Sequence, residues 1–168
     1  MCDARAMPYE RLRWGRWSEP GRIYLVTTRT AGRRPHFRDF AAAACVARAL
    51  VGLERAGCWR LMAWVVMPDH VHVLAGLQDG SLPAAMRHFK GRTGRIVGTM
   101  HRGVGPLWQK GYHDHAVRRE EDLRTLARYV CANPVRAGIA RSLREYPFWD
   151  ACWLREERPA EAGPTRSG

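Results

Sequence analysis

The chain has 168 residues, the size of one domain, and 46% of them are apolar, which excludes a globally disordered chain. Lys and Arg number 28 against 16 Asp and Glu, a formal net charge of +12. That excess points to a polyanion, most simply nucleic acid, although a basic face that aids solubility is the plain alternative.

In chain order, residues 1–20 are polar and carry Arg, Trp14 and Trp17, and read as a basic N-terminal arm with no apolar signal-peptide segment. Ile23 to Arg29 is β-branched and aromatic, a strand. A basic loop with Arg33 and Arg34 follows. Asp39 caps a helix to about Ala56, with Phe40, Ala44, Val46, Leu50, Val51 and Leu53 as its apolar content and Gly57 as its stop. Trp59 to Met67 and His70 to Leu77 are two strands joined by a turn at Pro68-Asp69, an antiparallel hairpin.

Gly80 and Ser81 open a helix from about Leu82 to Val97 that bears Arg87, His88, Lys90, Arg92 and Arg95. An irregular stretch leads to a short strand expected at His115 to Arg118. A last helix, with Glu120, Glu121 and Asp122 at its N-terminus, runs to about Ala132 and buries Leu123, Leu126, Ala127 and Val130. Pro134 should end it at Asn133. Residues 155–168 read as a disordered tail, which leaves 21–154 as the domain. The order β-α-β-β-α-β-α implies an α+β fold, a ferredoxin-like antiparallel sheet with helices packed on it. No apolar run approaches the ~18 residues of a membrane span. The five cysteines are scattered without a CxxC pair, as suits a reduced cytoplasmic compartment.

Two features carry chemistry. His70 and His72 are two apart on a strand, so both imidazoles leave one face of the sheet and can chelate a divalent cation. Two hydrogen-bonded sheet histidines would show the same spacing. Tyr129 and Asn133 are i and i+4 on the last helix. They offer a phenol nucleophile and an amide oxygen for a metal, or an edge tyrosine and a helix-end asparagine.

The run Trp64-Val65-Val66-Met67-Pro68-Asp69-His70-Val71-His72-Val73-Leu74, then Leu107-Trp108-Gln109-Lys110-Gly111-Tyr112-His113-Asp114-His115, then Tyr129-Val130-Cys131-Ala132-Asn133-Pro134-Val135-Arg136-Ala137-Gly138, resembles the REP-associated tyrosine transposases. These are HUH (His-hydrophobic-His) endonucleases that use one catalytic tyrosine. The resemblance covers about residues 20–153. It implies the ferredoxin-like fold of the HUH type, single-stranded or hairpin DNA as partner and a divalent metal, Mg2+ or Mn2+, as cofactor. No membrane and no small-molecule substrate are implied, and a monomer is expected over a dimer. His70 and His72 match the HUH pair and Tyr129 the nucleophile. Asn133 stands where relatives offer a third, amide-type ligand, and His115 matches a recurrent histidine near the site.

On this resemblance the chain cuts and rejoins hairpin DNA through a 5′-phosphotyrosine. A phenol is largely protonated at neutral pH, so a base or positive charge must assist, with His115 and Lys90 as candidates. Arg33, Arg34, Arg87, Lys90, Arg92, Arg95, Lys110 and His115 are the expected DNA contacts. Trp14, Trp17, Trp108 and Tyr112 are candidates for stacking on unpaired bases, whereas Trp59 and Trp64 belong to the core. Two other readings stay open: a hairpin-binding protein of the same fold that does not cut, and a hydrolytic metal-dependent nuclease. A zinc deaminase lacks its H-x-E and P-C-x-x-C pair.

Overall fold

The computed structural model describes residues 18–101, 105–118 and 122–156. Its elements are β1 (Ile23–Arg29), α1 (Phe40–Arg55), β2 (Trp59–Met67), β3 (His70–Leu77), α2 (Leu82–Met100), β4 (His113–Ala116), α3 (Leu123–Cys131), α4 (Asn133–Arg136), β5 (Trp149–Ala151) and α5 (Cys152–Glu156). The strands form one sheet in the order β4-β1-β3-β2-β5. Every neighbouring pair is antiparallel. Its first four strands with α1 and α2 are the ferredoxin-like βαββαβ unit, with β3 in the interior of the sheet.

Local chemistry sets the helix starts. The Asp39 carboxylate accepts from the Ala42 amide at 2.8 Å, and Gly57, at φ 71°, ends the helix in a left-handed turn that a side chain would resist. Ser81 accepts from the Ala84 amide and caps α2. Asp122 accepts from the Arg124 amide and caps α3; Glu120 and Glu121 lie outside the described residues.

The sheet is covered on both faces. Tyr24, Val26, Trp64, Val66, Val71 and Val73 meet α1 and α2, and this layer holds Trp59 and Phe89, each about 1% exposed. Val65, Leu74, Ala127 and Val130 form the other core, beneath α3 and β5. A bulge in β2 sets this division: Leu61 pairs with Ala75 but Ala63 pairs with Leu74, so Met62 is an extra residue. Trp59 and Leu61 precede the bulge on the α1/α2 face. Ala63, Val65 and Met67 follow it on the α3 face. A strand buried on both faces explains the unbroken apolar run of β2 from Leu61 to Met67, after the exposed Arg60.

The structure shifts several sequence expectations. α2 continues to Met100, and β4 begins at His113 instead of His115. Phe40, expected in the core, is 68% exposed and leans on the Phe148 ring. α3 ends at Cys131, and after Ala132 a further helical turn, α4, begins at Asn133 with Pro134 inside it. Proline has no N–H for the Val130 carbonyl, so the ladder breaks one residue early and restarts. α5 reaches Glu156, past the expected tail boundary of 155. β5 and the short helical turns carry too little periodicity to be read from sequence. The candidate arm residues Trp14 and Trp17 lie outside the described residues. No described helix is long and apolar enough to cross a membrane.

Candidate active site

His70 and His72 leave β3 on the α3 face, in line with Leu74. Their rings stand edge to face, 4.8 Å between centroids. Both Nδ1 atoms are held from within the protein. His70 Nδ1 lies 2.6 Å from the Asp69 carboxylate, which can only accept, so Nδ1 carries a proton and the tautomer selected is the one with its lone pair on Nε2. His72 Nδ1 lies 2.7 Å from the Thr27 hydroxyl. Burial first, then the charges of His70 and Arg29, push the His72 pKa down from 6.5 to about 4, so the ring is neutral at pH 7. A neutral imidazole with its inner nitrogen engaged is the form that binds a metal.

The support reaches further into the loop. Burial by itself would raise the Asp69 pKa, but hydrogen bonds from His70 and Arg33 overturn this and hold it below its ordinary value. Arg33 Nε donates to Asp69 at 3.1 Å. Arg33 takes up this place with φ 53°, a left-handed backbone that costs a non-glycine residue about 1–2 kcal/mol. Thr30 fixes the same turn: its amide and its hydroxyl both donate to the Asp69 carbonyl. Arg33, expected on DNA, is therefore tied to the histidine pair through Asp69. Asp69, Thr27 and Thr30 escaped the sequence reading, although Asp69 stands next to His70 in the chain.

The strand register extends this face. His113 is opposite Thr27, and Thr27 is opposite His72, so the three residues share one cross-strand row. His115 is opposite Leu25 on the same face. The available signal for His113 was His113-Asp114-His115, a second His-x-His on a strand.

α3 lies over β2, β3 and β5 on this face. Ala127, Val130 and Cys131 anchor it, with Leu123 and Leu126 partly buried. Tyr129 is 45% exposed, and the Arg136 guanidinium sits 4.6 Å from its ring centroid. Asn133 Nδ2 donates to the Tyr129 and Val130 carbonyls at 2.9 and 3.0 Å. It thereby supplies the Val130 carbonyl with the donor that Pro134 lacks. Those carbonyls only accept, so Nδ2 faces them and Oδ1 points away from the helix. Among the described residues no three of His, Cys, Asp and Glu gather as a metal cluster. Two imidazoles with free Nε2 atoms and a presented amide oxygen fit a divalent cation as donor types.

The expected DNA-binding residues divide between layers. α2, with Arg87, Lys90, Arg92 and Arg95, packs on the face opposite the histidine pair. Lys90 Nζ donates to the Gln109 and Gly111 carbonyls at 2.7 and 2.6 Å, which ties α2 to the loop before β4. Trp108, a candidate for base stacking, is 7% exposed, packs against Phe37 and Phe89, and donates from Nε1 to Thr93. It is a core residue: its indole N–H is satisfied inside by the Thr93 hydroxyl, which in turn donates to the Phe89 carbonyl at 2.7 Å. Tyr112 is half-buried against the same core. Trp59 and Trp64 are buried as expected. Arg34 and Lys110 lie on exposed loops.

A ferredoxin-like sheet with His-Val-His on an interior strand and a tyrosine helix over the same face defines the class: an HUH-type transposase fold. The chain belongs to the family described as Transposase IS200 like, whose model matches residues 22–133. It is 28% identical over 102 residues to the REP-associated tyrosine transposase of Escherichia coli K12, over 60% of this chain and 59% of that one. A relative from Haemophilus influenzae is 24% identical over 104 residues. The match spans under two-thirds of the length of these curated relatives. Among solved structures, a REP-associated tyrosine transposase bound to a REP hairpin superposes with a TM-score of 0.66 at 25% identity, covering 80% of this chain and 79% of that one.

Proposed function

We propose that this transposase-family chain is a metal-dependent endonuclease and strand transferase acting on hairpin DNA with single-stranded flanks, through a covalent 5′-phosphotyrosine on Tyr129. The observation that carries the reading is the pair of imidazoles with both Nδ1 atoms engaged, on the sheet face over which α3, the helix that bears Tyr129, packs. The hairpin-bound structural relative supports the choice of DNA.

Here His70 and His72 would hold the metal through Nε2, with Asn133 Oδ1 as a third protein ligand, and a divalent cation there would supply positive charge against the scissile phosphate. Asp69, itself held by Arg33, keeps His70 in the ligating tautomer, and Thr27 orients the His72 ring, its hydroxyl accepting from Nδ1–H when Nε2 ligates. Arg136 steadies the Tyr129 ring. Tyr129 Oη attacks phosphorus in line and loses its proton. The bond from phosphorus to the 3′ oxygen breaks, and that oxygen takes up a proton to leave as a 3′-hydroxyl. The 5′-phosphate stays on the tyrosine. Attack by another 3′-hydroxyl releases Tyr129 and joins two strands without a nucleotide cofactor.

The test is a denaturing gel of the protein mixed with labelled hairpin DNA and Mn2+ or Mg2+. A labelled protein band is expected, absent in EDTA, in Tyr129→Phe and in His70→Ala. Cleaved DNA without an adduct would instead identify water as the nucleophile. Tight binding with neither product would identify a protein that only binds hairpins.

A further inference from the structure

A second pair of histidines lies apart from His70 and His72. His36 opens the short helical turn His36–Arg38, and His101 caps the C-terminal end of α2. They are 65 residues apart in the chain, yet their Nδ1 atoms are 3.1 Å apart. Their rings are nearly parallel, with 22° between planes and 5.2 Å between centroids. Both side chains are half-buried. A cavity of about 10 Å³, the size of one water or one ion, is bounded by the two rings with Val97, Gly98 and Leu107.

The spacing fits two arrangements. Two neutral imidazoles can share one hydrogen bond, Nδ1–H to Nδ1. Two ligands of one metal ion stand equally far apart. With metal–nitrogen bonds of about 2.0–2.1 Å, the 3.1 Å separation corresponds to roughly 100° at the metal, between square and tetrahedral geometry. The cavity favours the metal. Apart from the two imidazoles, no side chain that lines it has a polar atom, so a lone water would lack partners. Burial first, then the charges of His101 and Arg34, lower the His36 pKa, so this ring is neutral at pH 7, as a ligand must be. The Arg34 charge disfavours a hard cation held by electrostatics alone and leaves the metals that bond imidazole strongly.

We propose that His36 and His101 hold, through their Nδ1 atoms, one imidazole-seeking divalent cation of the Zn2+, Ni2+ or Cu2+ kind, with water completing its coordination. This site differs from the His70–His72 pair in place and in ligand atom, Nδ1 here and Nε2 there, and it does not depend on DNA cleavage. Its effect is structural. The Phe37 amide donates to the Pro68 carbonyl, and the Ala31 amide to the Leu107 carbonyl, each at 2.9 Å. The segment that carries His36 is thus laced to the turn before His70 and to the loop before β4. A cation shared with His101 ties all of these to the end of α2 and stabilises the folded chain.

The full chain is titrated with Zn2+ in the absence of DNA. In nitrogen-edited NMR of the imidazoles, Zn2+ is expected to shift Nδ1 of His36 and of His101, and Mg2+ to leave both unmoved. By calorimetry, His101→Gln should lose a Zn2+ equivalent that His70→Ala retains, and His36→Gln should lose the same one. Zn2+ should raise the melting temperature of His70→Ala but not that of His70→Ala/His101→Gln. If a glutamine variant is itself destabilised, the NMR shifts of the native chain still decide. Unmoved His36 and His101 resonances under Zn2+ would overturn the proposal and leave a hydrogen-bonded pair. Shifts at Nε2 instead of Nδ1 would overturn it too, as would Zn2+ uptake that survives both glutamine variants in full.

Discussion

The two faces of the sheet are built to different ends. The face under α1 and α2 is closed, with Trp59, Phe89, Leu50 and Val71 almost fully buried, and even Lys90 donates to loop carbonyls. The face under α3 is covered over β2, β3 and β5, while the half-buried histidines continue on it toward the exposed His113 and His115 of β4. The same strands supply both faces, so residues one apart in sequence belong to different physical regimes. One side is a sealed core throughout, and on the other the core beneath α3 gives way to a row of polar side chains.

The largest expected difference follows from packing. Phe89→Ala empties a site in the closed core and should cost about 3–5 kcal/mol in urea unfolding. Tyr129→Ala removes a half-exposed ring with one cation contact and should cost about 1 kcal/mol or less. Similar losses for the two would mean that α3 depends on Tyr129 for its docking.

Acid should find the open face first. Unfolded His72 binds a proton near pH 6.5, whereas the folded residue does so only at about 4. Between these values protons favour the unfolded chain. The contribution of His72 is complete above pH 6.5 and declines by up to about 3 kcal/mol as pH falls to 4. His36, also lowered by burial and by His101, acts with the same sign on the other side of the molecule. In metal-free buffer, His72→Gln should flatten the dependence of unfolding free energy on pH across this window. An unchanged slope would place the acid sensitivity elsewhere.

The sequence made the closed face easier to read than the open one. Asp39, Gly57, the apolar strands and the His-Val-His spacing each act over a few residues, so their structural consequence is visible in one dimension. The α+β order and the ferredoxin-like sheet followed from them. The bulge at Met62 was hidden, because a strand apolar on both sides shows no break in alternation when one residue is inserted. The placement of α2 against the face opposite the histidines was hidden for a related reason: Arg87 and Arg95 advertise charge but not the layer they stand on. Tyr129, Asn133, His70 and His72 were legible as candidates by residue type and spacing. The groups that orient the histidines were not, since Thr27 meets His72 across 45 residues of chain and Arg33 meets Asp69 across 36.

Those orienting groups give a smaller and more specific effect. Asp69→Asn keeps the shape but removes the charge that fixes the His70 tautomer. On the proposed reading it should weaken Mn2+ binding about 10–100-fold in calorimetric titration, with little change in DNA binding measured in EDTA. Full metal affinity in this variant would show that the Asp69–His70 contact serves the turn and not the metal.

The smallest expected effect is the sharpest test of the two faces, because it uses neighbouring residues of one type. Thr27 points to the open face, where its hydroxyl bonds His72. Thr28 points to the closed face, is 2% exposed, and its Oγ1 has no hydrogen-bond partner. Valine has nearly the same shape as threonine. Thr27→Val should therefore cost about 1 kcal/mol by leaving His72 Nδ1 without its partner, and Thr28→Val should gain about 1 kcal/mol by removing an unpaired buried hydroxyl. Opposite signs at adjacent positions are what a strand with one sealed face and one working face requires. If both changes destabilise, a buried water serves Thr28 and the closed face is less dry than its packing indicates. If both stabilise, the Thr27 bond to His72 is held against strain, and the support beneath the histidine pair does not rest on it.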